Sequence, residues 1–130
     1  MQKPIVTVMK ILTFFGCIFL STHLVAHHST TVNFERAVSP LEGTIKSLKI
    51  VNPHCSFVLE VINDDGVSEE WLVEMLAKNA LERQGFDFDA LQVGLMIKLQ
   101  GRLGYRPNTI YFVEIELPDG TIIENPGPLR

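Results

Sequence analysis

Cysteine is scarce in this chain, whose 130 residues include only Cys17 and Cys55. Cys17 lies in an apolar N-terminal segment that we expect to be removed, which leaves Cys55 alone and excludes an internal disulfide. A free cysteine that has no chemical role usually behaves as a small buried hydrophobe. We therefore expect Cys55 to be a core residue.

Long apolar runs are also missing. The N-terminal run, residues 11–20 (ILTFFGCIFL), has about half of the roughly 20 residues that a membrane-spanning helix needs. Two lysines precede it and a short stretch ending in Ala26 follows it, an order typical of a secretory signal peptide. Residues 1–26 are therefore predicted to form an N-terminal signal helix that is cleaved after Ala26. An uncleaved anchor and lipoprotein-type processing at Cys17 are the alternatives.

Basic residues are outnumbered by acidic ones, 11 to 15. The leader holds two lysines and no acidic residue, so the remaining 104 residues carry nine basic and 15 acidic side chains and a net charge of −6. Nucleic acids and anionic membranes both select basic surfaces. We therefore expect one small exported domain, periplasmic or secreted, that binds no nucleic acid and, after cleavage, no membrane.

Alternating apolar residues divide the mature chain into short strands. Residues 27–40 lack a clear period and are predicted to form an N-terminal arm, while residues 125–130 are predicted to be a loose tail. Residues 63–66 (NDDG) are a strong hairpin turn. The predicted strands are Leu41–Val51, Cys55–Ile62, Ser68–Met75, Leu95–Leu103 and Thr109–Leu117, followed by a short extended piece at Thr121–Glu124.

A single helix is predicted between the third and fourth strands. Residues 77–84 (AKNALERQ) favour a helix, and Gly85 is a typical helix end. The order of three strands, one helix and two strands is that of the OB-fold, a five-stranded Greek-key barrel. We therefore predict a mostly β, OB-like barrel (β-β-β-α-β-β) over residues 41–124. Another small antiparallel barrel or sandwich with a helix is the alternative.

The same alternation assigns residues to faces of the strands. In the first strand, Gly43 marks a place for a bend or bulge. In the fifth strand, Tyr111, Val113 and Ile115 are predicted to share one face, opposite two glutamates. The second-strand residues that are predicted to face the core are Cys55, Phe57, Leu59 and Val61.

Histidine is rare too, and its positions carry the clearest chemical signal. After cleavage only His27, His28 and His54 remain. His27 would then be the first residue, so that its α-amine and imidazole, with His28 beside it, form a compact set of nitrogen donors for copper or zinc. Square-planar nitrogen ligands suit Cu(II), and because the donors must be neutral, binding should weaken below about pH 6.

His54 is the third predicted metal ligand. It follows Asn52-Pro53 in the turn between the first two strands and is out of phase with the core-facing Cys55, so it should be exposed. In OB-folds this turn flanks the usual ligand face. Two alternatives remain open: adjacent histidines at a chain end can be incidental to the export site, and a histidine after Asn-Pro can simply cap a turn.

The loop between the last two barrel strands flanks the same face in OB-folds. Here that loop is Gly104–Asn108 (GYRPN), and we predict Tyr105 and Arg106 as ligand-binding residues. Glu69, Glu70 and Glu74 lack a clear acid or base partner and are expected to form a solvated face. No order of residues indicates a catalytic triad or a phosphate-binding loop.

Six motifs of the chain are informative as a set: Ala26-His27-His28-Ser29, Glu42-Gly43-Thr44-Ile45, Asn52-Pro53-His54, Trp71-Leu72-Val73-Glu74, residues 79–85 (NALERQG) and Leu91-Gln92-Val93-Gly94. Taken together, they resemble a widespread family of small exported bacterial proteins of uncharacterised function. The resemblance implies a periplasmic or secreted β-barrel domain and supplies no activity. Compared with its relatives, this chain has a short loop after Gly104 and an unusual Cys55-Ser56-Phe57.

Three functional hypotheses follow, from different classes of protein. The first is a binding or accessory domain, not an enzyme, that holds copper or another transition metal through its histidines. The second is a structural or interaction module that binds another envelope protein without metal. The third is a copper-dependent redox enzyme, which a metal-bound N-terminal histidine permits but for which no substrate groove is evident.

Overall fold

Five strands close into a barrel in the computed structural model, which describes residues 33–127. Strand β1 pairs with both β2 and β4, β2 pairs with β3, β4 pairs with β5, and a parallel pairing of β3 with β5 closes the ring. A short strand, β6, extends the sheet beyond β5. The elements are β1 Ser39–Lys49, β2 Ser56–Ile62, β3 Ser68–Glu74, α1 Lys78–Arg83, a 3-10 turn Phe88–Ala90, β4 Met96–Leu103, β5 Thr109–Glu116 and β6 Ile122–Glu124.

The predicted mostly β barrel with one short helix is confirmed, and its element order is that of the OB-fold. The first strand begins at Ser39, two residues before the predicted Leu41. The predicted signal helix, residues 1–26, lies outside the described residues. Within residues 33–127, no helix is both long enough and apolar enough to cross a membrane.

Strand β1 pairs with two neighbouring strands because it bends. Its first half, Ser39 to Thr44, pairs with β4, and its second half pairs with β2, with a register shift between Ile45 and Ser47. Gly43 lies at the crossing, where a Cβ atom would collide with the backbone carbonyl of Glu60. Glycine is therefore required at this close backbone approach, next to the bend that the sequence predicts.

The core fills the barrel with the inward-facing residues of the alternating strands. All four predicted second-strand residues are buried, and Cys55, Phe57 and Leu59 are at most 1% exposed. Since inward side chains alternate with outward ones, the opposite face of β2 is left for solvent or a partner. The most deeply buried side chains are Phe57, Phe112, Ile45, Leu59, Met75, Leu81, Ile97, Leu99, Ile110, Ile115, Val73 and Cys55.

Strand β5 departs from the predicted facing. Ile110 and Phe112 are fully buried, whereas Tyr111 and Val113 are only half-buried. The pairing with β4 skips Val113, a β-bulge that shifts the alternation by one residue so that Ile115 also points inward. The prediction that Tyr111, Val113 and Ile115 share one face is therefore wrong, because period-two reasoning assumes an uninterrupted ladder.

Helix α1 ends as the sequence predicts. The N–H of Gly85 donates to the carbonyl of Glu82, and the N–H of Phe86 donates to that of Leu81, which together form a Schellman motif. Gly85 has φ +74°, a conformation in which glycine carries no steric cost. The Phe86 ring then packs edge-on against Phe112, and this contact ties the helix to the core.

The described part of the predicted tail, residues 125–127, is hydrogen-bonded to the rest of the chain. The side-chain amide of Asn125 donates to the carbonyl of Phe112 at 2.6 Å, and its backbone N–H donates to Val113 at 2.8 Å. The side chain of Gln84 also reaches the carbonyl of Gly127. The chain therefore remains attached to the barrel as far as Gly127, the last described residue.

Candidate functional site

The described part of the predicted site lies in two loops. His54 occupies the β1–β2 loop, residues 50–55, and is exposed, as its position one residue before the buried Cys55 predicts. Tyr105 and Arg106 occupy the β4–β5 loop, residues 104–108, and both are exposed. The other two predicted ligands, His27 and His28, lie outside the described residues.

The β4–β5 loop is anchored to strand β3. The backbone N–H of Leu72 donates to the carbonyl of Asn108 at 2.9 Å. The guanidinium of Arg106 forms an ion pair with the carboxylate of Glu74, also at 2.9 Å. Glu74 is paired across the sheet with Ser56, two residues after His54. The ion pair therefore connects the β4–β5 loop to the end of β3, which is paired with the start of β2 next to His54. The sequence did not predict Glu74 as a residue of the site.

The described part of the N-terminal arm, from Asn33, lies against the same loop. The N–H of Glu35 donates to Leu103 at 2.8 Å, and the N–H of Tyr105 donates to the carbonyl of Asn33 at 3.0 Å. Between them Phe34 forms an antiparallel bridge with Gly104. The arm therefore continues the β1–β4 pairing to the end of β4. In the sequence, the apolar residue Phe34 is the only feature of this segment that indicates such a contact.

Phe34 is the side chain that fixes the arm. It is only 5% exposed, and its ring lies 5.3 Å from that of Tyr111 on the outer side of β5. Gly104, the bridge partner of Phe34, lies so close to β5 that a Cβ atom there would collide with the hydroxyl of Thr109. Burial raises the pKa of the Tyr111 hydroxyl, which is the main electrostatic consequence of this packing.

The outer face of β2 and β3 is acidic with an apolar centre. Val58 and Leu72 are opposite each other and half-buried. Beyond them, Lys46 donates to Glu70 at 2.6 Å and lies 3.7 Å from Glu60. The hydrogen bond to the Glu70 carboxylate raises the pKa of Lys46. This end of the face is therefore a lysine held between two carboxylates, with one excess negative charge.

Cys55 is unsuited to bind a metal beside His54. The thiol is fully buried, and its Sγ donates to the carbonyl of Val51 at 3.5 Å. Burial raises the pKa of the Cys55 thiol, which disfavours the thiolate that a soft metal needs. The expectation that Cys55 is a core residue is thereby confirmed.

Across residues 33–127 there is no group of three histidine, cysteine, aspartate or glutamate side chains that could hold a metal ion. A cleft of about 200 Å³ exists on another side of the barrel, bordered by Met96, Lys98 and Glu116.

The fold and loops define a small OB-like barrel domain whose N-terminal arm is docked beside the β4–β5 loop. A family model described as a family of unknown function (DUF6152) matches residues 16–107. The chain belongs to this family, as the resemblance of its motifs predicts. No curated protein matches the chain.

Proposed function

We propose that the chain is an exported binding domain that holds copper at its processed N-terminus. In this proposal cleavage after Ala26 frees the α-amine of His27, the amine and the imidazoles of His27 and His28 chelate Cu(II), and His54 completes the site. Four nitrogen donors in a plane are a preferred environment of Cu(II). The domain acts as a binding or accessory protein rather than an enzyme.

The course of the arm is the observation that carries this proposal. The chain enters the described structure at Asn33, hydrogen-bonded to the β4–β5 loop. From this loop Arg106 reaches Glu74, which is paired with Ser56, two residues from His54. The arm thus starts from the loop that contacts the strand pair leading into His54.

Chain length supports the same arrangement. His27 lies six positions before Asn33, and a six-residue extended segment spans at most about 20 Å. A domain of about 95 residues has a radius of gyration of about 12 Å. The greatest length of this segment therefore exceeds the radius of the barrel, as the proposal requires.

The exposure of His54 supports its assignment as a ligand. Its neighbour Cys55 is buried and points inward, which leaves the imidazole as the donor available on this part of the loop. The acidic charge of the mature chain favours a cation over an anionic partner. Neither feature selects copper over zinc, but nitrogen donors bind Cu(II) more tightly than Zn(II).

The test begins with intact-mass spectrometry of the exported protein, which establishes whether His27 is the first residue. The processed protein is then titrated with Cu(II), and electron paramagnetic resonance reports the nitrogen ligands. Two variants remove donors: one is His27→Ala, and the other is His54→Ala. Val51→Ala is the matched control, because Val51 is an exposed residue of the same loop without a donor.

Loss of an outer-shell partner alone costs about 10–100-fold in metal affinity, so loss of a ligand should weaken Cu(II) binding by more than about tenfold. We expect this loss in both variants and none in Val51→Ala. Equal binding by the wild type and by a protein that carries His27→Ala together with His54→Ala would overturn the proposal. A specific envelope partner retained in the absence of metal would then favour the interaction module.

A further inference from the structure

We propose that Asn52 is the positioning residue that presents His54, with Asn79 of helix α1 as its partner. The inference rests on the proposed copper site, and it adds the contact that holds one of its ligands in place. Asn52 touches neither the metal nor the imidazole in this proposal. It acts by fixing the backbone from which His54 projects.

The two asparagines contact each other through both side chains. The side-chain amide of Asn52 donates to Oδ1 of Asn79 at 3.0 Å. In return, the backbone N–H of Asn79 donates to Oδ1 of Asn52 at 3.2 Å. This N–H lies in the first helical turn, where backbone donors have no partner within the helix. The β1–β2 loop thus supplies the cap that α1 lacks, since no side chain of its own N-terminus caps it.

Further backbone contacts hold the loop on both sides of His54. Before it, the carbonyl of Val51 accepts from the N–H of Lys78 at 3.4 Å. After it, the N–H of Cys55 donates to Leu76 at 3.0 Å and its carbonyl accepts from Met75 at 2.9 Å. Between Asn52, which is held by Asn79, and Cys55 there are only Pro53 and His54.

The combination of a held backbone and an exposed imidazole is what a ligand-presenting loop requires. Pro53 has a fixed φ, so the segment between Asn52 and Cys55 has few backbone conformations. His54 itself is exposed and projects from this short segment. A ligand held in this way loses less conformational freedom on binding, which increases affinity without adding a contact.

The decisive comparison is between Asn52→Ala and Asn63→Ala. Asn63 is the matched control, because its side chain also holds a β-turn, at the other end of β2. It accepts from Asp65 at 3.1 Å and from Val67 at 2.9 Å, and donates to Glu69 at 2.8 Å. Both variants lose a turn-holding amide, but only Asn52→Ala loses one next to His54.

We expect Asn52→Ala to weaken Cu(II) binding by about three- to tenfold, the range for one side chain that must be ordered on binding. Asn63→Ala should leave Cu(II) affinity unchanged even if it lowers stability. Asn52→Asp should restore the affinity, because its carboxylate accepts from the Asn79 backbone and from a reoriented Asn79 amide. In a His54→Ala background, Asn52→Ala should cause no further loss.

The inference is overturned if Asn52→Ala binds Cu(II) like Asn63→Ala, or if its effect persists without His54. Backbone ¹⁵N relaxation of His54 in the metal-free protein separates this outcome from failure of the proposed site. A drop in the His54 order parameter in Asn52→Ala, but not in Asn63→Ala, supports the positioning role even if the wild type binds no copper. An unchanged order parameter overturns it.

Discussion

The Nη2 atom of Arg106 lies 2.9 Å from the Oε1 atom of Glu74, across 32 residues of chain. The arginine side chain is 74% exposed and the glutamate side chain 27%, so water screens the pair. The contact holds the β4–β5 loop against the end of β3. It also means that Arg106 has a carboxylate partner already, which an anionic ligand would have to displace.

Replacement of Arg106 tests whether this ion pair stabilises the fold. We expect Arg106→Ala to change the free energy of unfolding by less than about 1 kcal/mol, because exposed ion pairs contribute little. Urea denaturation at low and high salt measures the change, with Arg106→Lys as the control that keeps the charge. A loss above about 2 kcal/mol, beyond the range of exposed pairs, would mean that the loop is structural.

Gly101 tests the close approach of β4 and β5. A Cβ atom there would lie 2.5 Å from Cγ1 of Ile110 and 2.7 Å from the carbonyl oxygen of Tyr111. Gly101→Ala should therefore lower the free energy of unfolding by about 1–3 kcal/mol, the usual cost of overpacking. Thermal or urea unfolding measures the loss.

The control for this substitution is Gly66→Asn. Gly66 has open space around it and φ +77°, a conformation that asparagine tolerates better than other non-glycine residues. Gly66→Asn should therefore lower the free energy of unfolding by less than Gly101→Ala does. If the two costs are equal, backbone conformation rather than crowding explains both.

Because of the β-bulge in β5, alanine substitutions at the adjacent residues Phe112 and Val113 should lower the free energy of unfolding by different amounts. Phe112→Ala should cost about 3–5 kcal/mol because it leaves a cavity in the core. Val113→Ala should cost about 1 kcal/mol, since Val113 is half-buried and loses less apolar area. Urea denaturation of the two variants compares them directly, and a larger cost at Val113 would contradict the register of β5.

Ionisation of Tyr111 should lower the free energy of unfolding at alkaline pH. Burial raises the pKa of its hydroxyl above the ordinary value of about 10, so the folded state favours the neutral phenol. The contribution of Tyr111 is therefore complete below about pH 10 and is lost as the pH rises through the folded-state pKa. We expect the unfolding free energy of the wild type to fall more steeply above pH 10 than that of Tyr111→Phe.

Absorbance titration of Tyr105→Phe isolates this group, because the chain has only two tyrosines. The remaining phenol should ionise at a higher pH in the folded protein than in urea. Coincident titrations in the two states would contradict the burial of Tyr111.

Local patterns account for most of the agreement between sequence and structure. The NDDG turn, the Gly85 helix end and the inward-facing Cys55, Phe57 and Leu59 each depend on residues within a few positions of one another. The predicted exposure of His54 follows from the same alternation. The facing of Val113 was not predictable in this way, because the bulge is a property of the β4–β5 pair.

By itself, the sequence determined the order of the elements and which side of most strands is apolar, since backbone alternation, turns and helix ends are local. Only the tertiary structure decided that β3 closes on β5, that Phe34 holds the arm beside the β4–β5 loop, and that Arg106 meets Glu74. It also brought Asn52 to Asn79. Such contacts join residues far apart in the chain, and their geometry is set by the packing of the whole barrel.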